Sequence, residues 1–219
     1  MKQKLLLSLC VLFLFSCGNQ SQKNENAEQN VEQKVDSENV KGMSFDELFT
    51  NIPANELTDN VFKLVGEDIT VITAGDASHF NSMAASWGGL GILFNKPTTW
   101  CFLRSNRYTL ELIEKEQTYT MTYFPDEYKG QVYFLGSKSG RDTDKMKEIT
   151  LTPVQTPDGN TTYKEARLIL ECKLTELTTV SPDDFQTEEG KNFVVDAYKE
   201  TKGYHKMVFG EITNIWVRK

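Results

Sequence analysis

The segment FNSMAASWGGLG, residues 80–91, carries small side chains, one tryptophan and three glycines, and few large aliphatic groups that could build a core. Small side chains let a flat molecule lie directly on a strand, where backbone N–H and C=O groups can bond its edge. The alternative is a barrel strand whose small residues allow close sheet packing, which composition alone favours. As a strand, the segment would place on one face Ser82, Ala84 and Ser86, and on the other Asn81, Met83, Ala85 and Trp87.

A basic motif, RSNRYT at residues 104–109, follows a strand-like run and opens a predicted helix over 105–117. Arg104 and Arg107 flank the helix start, and Tyr108 and Thr109 occupy its first turn. Cationic side chains beside free N–H groups at a helix N-terminus favour an anion, most often a phosphate. An exposed helix start with solvated arginines is an equally good interpretation of this motif alone.

A polar loop, GSKSGRDTDK at residues 136–145, contains Lys138, Arg141 and Lys145 among serines that include Ser139. Such a loop can wrap a phosphate, a ribityl chain or a neighbouring subunit. An equally good interpretation is a polar turn capped by Asp142 or Thr143. The carboxylates of Asp142 and Asp144 could pair with these cations and so offset part of the positive charge.

Histidine and cysteine are scarce in the part of the chain predicted to fold. His205 stands at the entrance to the last predicted strand, where a structural role is the more common one; a functional role would make it a titrating group near a redox ring. His79 is distant in sequence and no CxxC or HxxH spacing occurs, so no metal site is predicted. Cys101 and Cys172 lie in apolar runs, which favours buried free thiols over a disulfide.

Short strands dominate the remaining pattern, and helices are inserted between them. No GxGxxG or GxxxxGK loop is present, which disfavours a dinucleotide or nucleoside-triphosphate fold. The predicted fold is therefore mainly β, a β-barrel with inserted helices. We predict strands at 68–74, 81–87, 98–104, 118–124, 149–154, 161–177 (one bent strand or two) and 204–219, and helices at 44–49, 105–117, 125–136 and 142–150, with a hairpin turn at 156–160.

The first twenty residues, MKQKLLLSLCVLFLFSCGNQ, combine two lysines with an apolar run that is too short to span a membrane as a helix. Because LFSC is similar to a bacterial lipobox, we predict a signal peptide at 1–16 and lipidation of Cys17, which would attach the chain to the lipid bilayer of the cell envelope, on the periplasmic side or cell surface. An ordinary cleaved signal or an uncleaved anchor is the alternative. The polar stretch 17–41 is predicted to be a disordered tether, and 42–219 one folded domain.

The net charge of −7, from 24 basic and 31 acidic residues, argues against nucleic acid as a partner. An anionic small ligand remains compatible with it, because a local basic cluster can exist within an acidic protein.

Four segments together resemble the flavin reductase-like family, in order and with matching spacing: 62–76, 80–115, 134–145 and 204–212. The resemblance implies an FMN-binding split β-barrel and a homodimer with FMN near the subunit interface. It implies that residues 81–87 lie along the isoalloxazine ring and ribityl chain. The phosphate would be served by Arg104, Arg107, Tyr108 and Thr109. The residues implied to close the site are Ser139, Arg141, Asp142 and Lys145.

The resemblance also implies an oxidoreductase that takes electrons from NAD(P)H, although a chain outside the cytoplasm would need another donor. Relatives often have a hydroxyl residue in place of Ala84 and a cysteine in place of Leu135. Two alternatives stay open at this stage. One is a non-catalytic lipoprotein that binds or carries flavin, and the other is a structural barrel with an emptied pocket.

Overall fold

The computed structural model describes residue 40, residues 42–199 and residues 203–219. The predicted signal peptide, the lipidation of Cys17 and all but the end of the predicted tether lie outside the described residues. Val40–Lys219 form one compact unit. Within the part of the chain that is described, no helix is long and apolar enough to cross a membrane.

The described residues of this unit form ten strands and five α-helices, as bounded here. The strands are β1 Phe49–Ile52, β2 Thr70–Gly75, β3 Phe80–Ala85, β4 Gly88–Leu93, β5 Lys96–Arg104, β6 Thr118–Tyr123, β7 Pro153–Gln155, β8 Thr161–Tyr163, β9 Leu168–Thr179 and β10 His205–Arg218. The helices are α1 Phe45–Leu48, α2 Val61–Gly66, α3 Tyr108–Glu116, α4 Lys129–Ser137 and α5 Glu188–Tyr198.

Eight of the strands form one antiparallel sheet in the order β3-β2-β6-β9-β10-β5-β4, with β1 added on β10. β3 and β4 therefore stand at opposite ends of this order, yet only Ser86 and Trp87 connect them along the chain. Two residues span less than about 10 Å between strand ends, so the two edges must approach each other and the sheet must curl into a barrel. The Phe102 amide donates to the Trp87 carbonyl oxygen at 3.2 Å, which holds this link against β5.

The main core fills the inside of the curled sheet and includes Leu103, Ile113, Met121, Leu170 and Val208, each at most 1% exposed. A second cluster lies on the outer side of β2 and β3, where α4 covers the sheet. Helices thus pack on both faces of β2 and β3, which explains why β2 is buried along almost its whole length.

Most of the predicted elements are present. The predicted helix over 105–117 is observed as α3, which buries Leu110 and Ile113 and ends at Gln117 in the left-handed conformation. The predicted turn at 156–160 joins β7 and β8, and the segment 161–177 forms two strands rather than one. The mainly β architecture with inserted helices is confirmed.

Several predicted boundaries were wrong. The predicted helix over 142–150 is a single 3-10 turn at Lys145–Lys147, and the strand placed at 149–154 begins only at Pro153. The strand placed at 81–87 ends at Ala85, because the chain there leaves one sheet edge and crosses to the other.

β1, β4, α2 and α5 were not predicted. β4 consists of GGLGIL, whose glycines obscure a strand signal, and its pairing with β5 explains them. A Cβ atom at Gly89 would lie 2.5 Å from Cζ2 of Trp100, so only glycine leaves room for that indole. Cys101 and Cys172 are buried and unpaired, as expected.

Candidate functional site

A cavity of about 230 Å³ lies where the end of β3 meets the end of β5, beside the link that closes the barrel; we call it the central cavity. It brings together residues that are far apart in sequence, from β3, β5, α3, α4 and β10. Its lining residues are Met83, Ala84, Ala85, Ser86, Trp87, Phe102, Arg104, Arg107, Gly136 and His205.

The small residues of β3 pack closely against α4 and also line the central cavity. Ala84 packs under α4, where a Cβ atom added to Gly136 would lie 2.9 Å from its own Cβ, so this small pair permits close packing. The next two residues, Ala85 and Ser86, also line the central cavity, and their side chains are small. Trp87, 52% exposed, stands at the rim.

Arg104 and Arg107 are placed by the end of β5 and by the residue that precedes α3. No described carboxylate lies within ion-pair distance of either guanidinium, and Arg104 instead lies over the Tyr198 ring, 5.9 Å from its centroid. Burial, and then the charge of Arg104, lower the pKa of Arg107. The first-turn N–H groups of α3 at Tyr108 and Thr109 have no intrahelical acceptor, so they add partial positive charge at the same place.

Lys145 adds a third cation and is only 5% exposed. Its Nζ donates to the carbonyl oxygens of Ser82 and Leu135, both at 2.7 Å, and no described carboxylate pairs with it. Burial, and then the charge of Arg107, lower the pKa of Lys145 to about 8. Arg107 therefore has two neighbouring cations, Arg104 and Lys145, and no described carboxylate pairs with any of the three. We call these three residues the cationic cluster, of which Arg104 and Arg107 line the central cavity and Lys145 does not.

Two further cavities continue from this cationic cluster. A small gap of about 30 Å³ shares Met83, Arg107 and Gly136 with the central cavity. It opens into a polar cavity of about 700 Å³. The predicted residues that line the gap are Asn81, Met83, Arg107, Tyr108, Thr109, Ser139, Arg141 and Lys145, and those that line the polar cavity include Ser82 and Asp142.

Arg141 differs from the other cations because its charge is already engaged. Its guanidinium pairs with Glu111, donates to the Asn106 carbonyl oxygen at 3.0 Å and lies 5.1 Å from the centroid of the Tyr108 ring. The loop at 138–145 is thereby fastened to α3, and Arg141 contributes less free charge than Arg104 or Arg107.

Two of the predicted β3 residues, Ser82 and Asn81, bond to neighbouring segments of the protein. The hydroxyl of Ser82 bonds the hydroxyls of Thr73 at 2.7 Å and Tyr163 at 2.6 Å, all buried. The Asn81 side chain donates to the Thr109 hydroxyl at 2.7 Å and so joins β3 to α3. These polar groups are satisfied within the protein, and residues 83–87, further along the chain, line the central cavity.

His205 lines the central cavity from the first residue of β10. Its Nδ1 bonds the Tyr198 hydroxyl, and its ring lies 5.1 Å from the centroid of Trp87. Burial, and then the charges of Arg104 and Arg107, lower the pKa of His205 to about 4, so the imidazole is neutral at pH 7. No group of three or more His, Cys, Asp or Glu side chains among the described residues could hold a metal ion.

Sequence reasoning missed Phe102 and Gly136, which complete the central cavity. Strand alternation contained a signal for Phe102, because it shares a β5 face with Arg104. Gly136 had no such signal, since its close approach to Ala84 depends on how α4 crosses β3.

Comparison with known proteins agrees with this fold. A model of the flavin reductase like domain matches residues 62–219. This chain belongs to the flavin reductase-like family. No curated protein matches the chain.

Solved structures similar to this flavin reductase-like chain have low sequence identity to it. The FMN-binding protein from Thermus thermophilus with bound 1-cyclohex-2-enone is 19% identical, with a TM-score of 0.54 over 77% of this chain and 80% of that chain. Flavoredoxin of Desulfovibrio vulgaris (Miyazaki F) is 20% identical, with a TM-score of 0.53 and 76% of each chain covered. An FMN-binding domain from Shewanella baltica OS155 is 16% identical, with a TM-score of 0.55 over 77% and 76%. The predicted split-barrel fold is confirmed.

Proposed function

We propose that this chain is an FMN-dependent oxidoreductase that transfers electrons from NAD(P)H or another donor to a flavin or a small acceptor. The observation that carries the proposal is the pair of Arg104 and Arg107, which lack described counter-anions and line the central cavity at the end of a small-residue strand. Lys145 adds a third positive charge close to Arg107. Neighbouring cations without counter-anions repel one another, so an anion that binds among them is stabilised. The FMN-binding proteins of the same fold support FMN as that anion.

The residues present fit FMN, and their roles divide by position. Arg104 and Arg107 bind the phosphate through charge-assisted hydrogen bonds, with N–H groups of the first turn of α3 as further donors. Lys145 contributes its positive charge close to Arg107. The loop residues Ser139, Arg141 and Asp142 close this end of the site, with Arg141 held in place by Glu111.

The isoalloxazine ring lies against the small side chains of β3, and its edge atoms bond backbone groups of residues 84–86. When bound, FMN would supply the electron-transfer chemistry. Trp87 and Phe102 exclude water from the ring. His205 contributes a neutral hydrogen-bonding group, since its pKa of about 4 places its titration well below neutral pH.

The proposed enzyme is a homodimer that Cys17, through its lipid, attaches to a membrane of the cell envelope. Two exposed apolar side chains support an interface at β4 and the turn that follows it, because Ile92 is 72% exposed and Phe94 is 85% exposed. FMN would then lie near the subunit interface, with the loop at 138–145 available to close the site.

Absorbance spectroscopy of the full-length chain tests the proposal. Added FMN should bind and shift its visible absorption bands, while riboflavin, which lacks the phosphate, should bind much more weakly. NADH or NADPH, added without oxygen, should then bleach the bound flavin, and oxygen or an acceptor should restore it. FMN binding without reduction by either nucleotide or by a membrane donor would instead indicate a carrier, and a chain that ignores FMN would refute the proposal.

The affinity for FMN should fall as the pH rises through about 8. Lys145 has a pKa of about 8 and is charged below that value, so it attracts the phosphate, which is a dianion above about pH 6. Loss of one charge-assisted contact should weaken binding roughly tenfold between pH 7 and pH 9.5. Fluorescence titration measures this change.

Riboflavin is the control for the pH titration, since it carries no phosphate and its weaker binding should not follow the Lys145 charge. An FMN affinity that is the same from pH 7 to pH 9.5 would mean that the phosphate binds away from Lys145.

A further inference from the structure

A second cavity of about 240 Å³ adjoins the central cavity, and we call it the apolar cavity. Its walls come from Val180 and Phe185 in the segment after β9, from α5, and from residues at the barrel rim. Three residues, Trp87, Phe102 and His205, line both cavities. The remaining lining residues are Val180, Phe185, Phe193, Val194, Ala197 and Tyr198.

α5 leaves an unusually large part of its apolar surface uncovered around this cavity. Of its described side chains only Val194 is buried, whereas Phe193 is 66% exposed and Phe185, just before the helix, is 39% exposed. Thr187 caps the helix by accepting from the Gly190 amide at 3.2 Å, so the helix is a formed element. An aromatic wall on a formed helix is typical of a small-molecule site.

One edge of the apolar cavity carries a polar pair. The Tyr198 hydroxyl bonds Nδ1 of His205. In the arrangement in which Tyr198 donates, the imidazole carries its proton on Nε2, for which the described residues provide no acceptor. With this tautomer, a ligand that enters the cavity meets apolar walls and one N–H donor.

The lining residues also indicate which ligands the apolar cavity excludes. No Lys, Arg, Asp or Glu is among its described lining residues, so a charged ligand would lose its hydration without gaining a counter-ion. This excludes the pyrophosphate of a pyridine nucleotide. A volume of about 240 Å³ accommodates a ligand of about two fused rings.

We propose that the apolar cavity binds a neutral, planar, aromatic carbonyl compound of the naphthoquinone class, whose carbonyl oxygen accepts from Nε2 of His205. Because Trp87, Phe102 and His205 belong to both cavities, this ligand lies beside the ring site of the central cavity.

The assignment of this ligand as the electron acceptor rests on the proposed function. Reduction of a quinone to its hydroquinone takes two electrons and two protons. One reduced nicotinamide supplies both electrons and one proton as a hydride equivalent, and solvent supplies the second proton. His205 positions the carbonyl and does not itself lose a proton.

Calorimetric titration of the full-length chain with menadione tests the site, both without FMN and with saturating FMN. Ala197→Phe fills the cavity from an exposed helix position, and Val195→Phe, on the same helix but outside the cavity, is its matched control. We expect menadione binding to weaken by roughly tenfold or more in Ala197→Phe and to remain unchanged in Val195→Phe. FMN affinity should be the same in both variants.

The results that would refute the apolar-cavity proposal differ from those that would refute the proposed function. A chain that binds FMN but not menadione, or an Ala197→Phe variant that binds menadione as the wild type does, would overturn the apolar-cavity proposal alone. Binding of menadione without any binding of FMN would support it while refuting the oxidoreductase. Equal affinity for the negatively charged 1,2-naphthoquinone-4-sulfonate would refute the neutral-ligand assignment.

Discussion

Replacement of both Arg104 and Arg107 by alanine is expected to release FMN, with a dissociation constant raised by about 100-fold or more. The physical reason is the loss of two charge-assisted phosphate contacts, on the order of 3 kcal/mol together. Neither guanidinium has a described carboxylate partner, so both are available to a ligand. Quenching of FMN fluorescence on titration with the variant measures the change.

Two further measurements test whether the loss of FMN affinity comes from the phosphate contacts. Riboflavin affinity should change little in the double variant, since riboflavin has no phosphate to lose contact with. Arg141→Ala is the matched single-site control: its guanidinium is engaged by Glu111 and the Asn106 carbonyl oxygen, so we expect a smaller loss of FMN affinity. A larger loss for Arg141→Ala than for the double variant would place the phosphate in the polar cavity instead.

The double variant should also keep its stability. Arg104 and Arg107 repel each other, which contributes to the lowered pKa of Arg107, and their removal breaks no described ion pair. The free energy of unfolding should therefore change by less than about 1 kcal/mol. Loss of FMN together with loss of folding would mean that these arginines are structural.

The candidate site could be predicted because its residues lie in two short runs with local signals. Residues 81–87 have the small-residue pattern of a strand that something approaches closely, and 104–109 have the pattern of a cationic helix start. Both runs reach the central cavity because β3 and β5 are neighbours across the barrel closure. The family resemblance predicted that these two runs lie close together, and neither run predicted it alone.

The partners of individual side chains could not be predicted, because they depend on tertiary contacts. The sequence shows Arg141 and Lys145 as similar loop cations, yet Arg141 pairs with Glu111 while Lys145 is buried against two carbonyl oxygens. Likewise, Leu135 is fully buried beneath the sheet, which explains how an apolar side chain is accommodated there. The apolar cavity escaped prediction because α5, which forms one of its walls, was not predicted.

The largest stability effect should come from Glu171, a carboxylate with no exposed surface in the middle of β9. It accepts hydrogen bonds from Thr156, from Asn160 at 2.7 Å, from Asn214 at 3.1 Å and from the indole N–H of Trp216 at 3.0 Å. These donors come from the β7–β8 turn and from β10. Glu171 therefore joins three segments through one side chain.

Replacement of Glu171 by leucine should lower the free energy of unfolding by about 3–5 kcal/mol, because four donors lose their acceptor and some remain buried. Glu171→Gln keeps one carbonyl oxygen as an acceptor and should lose only about 1–2 kcal/mol. The control is Glu176→Leu, an exposed glutamate on the same strand, for which we expect a change within about 0.5 kcal/mol. Urea unfolding followed by far-ultraviolet circular dichroism measures all three.

The Glu171 result also separates fold stability from ligand binding. Glu171 touches none of the cavities directly, but the turn that it holds leads into β8, whose Tyr163 hydroxyl supports Ser82 behind the site. If that support is rigid, Glu171→Leu should retain its FMN affinity at temperatures where it stays folded. The arginine double variant should show the opposite result, because it loses FMN affinity and keeps its stability. A Glu171→Leu protein with wild-type stability would show that the four donors find other acceptors, and the role of Glu171 as a structural junction would be refuted.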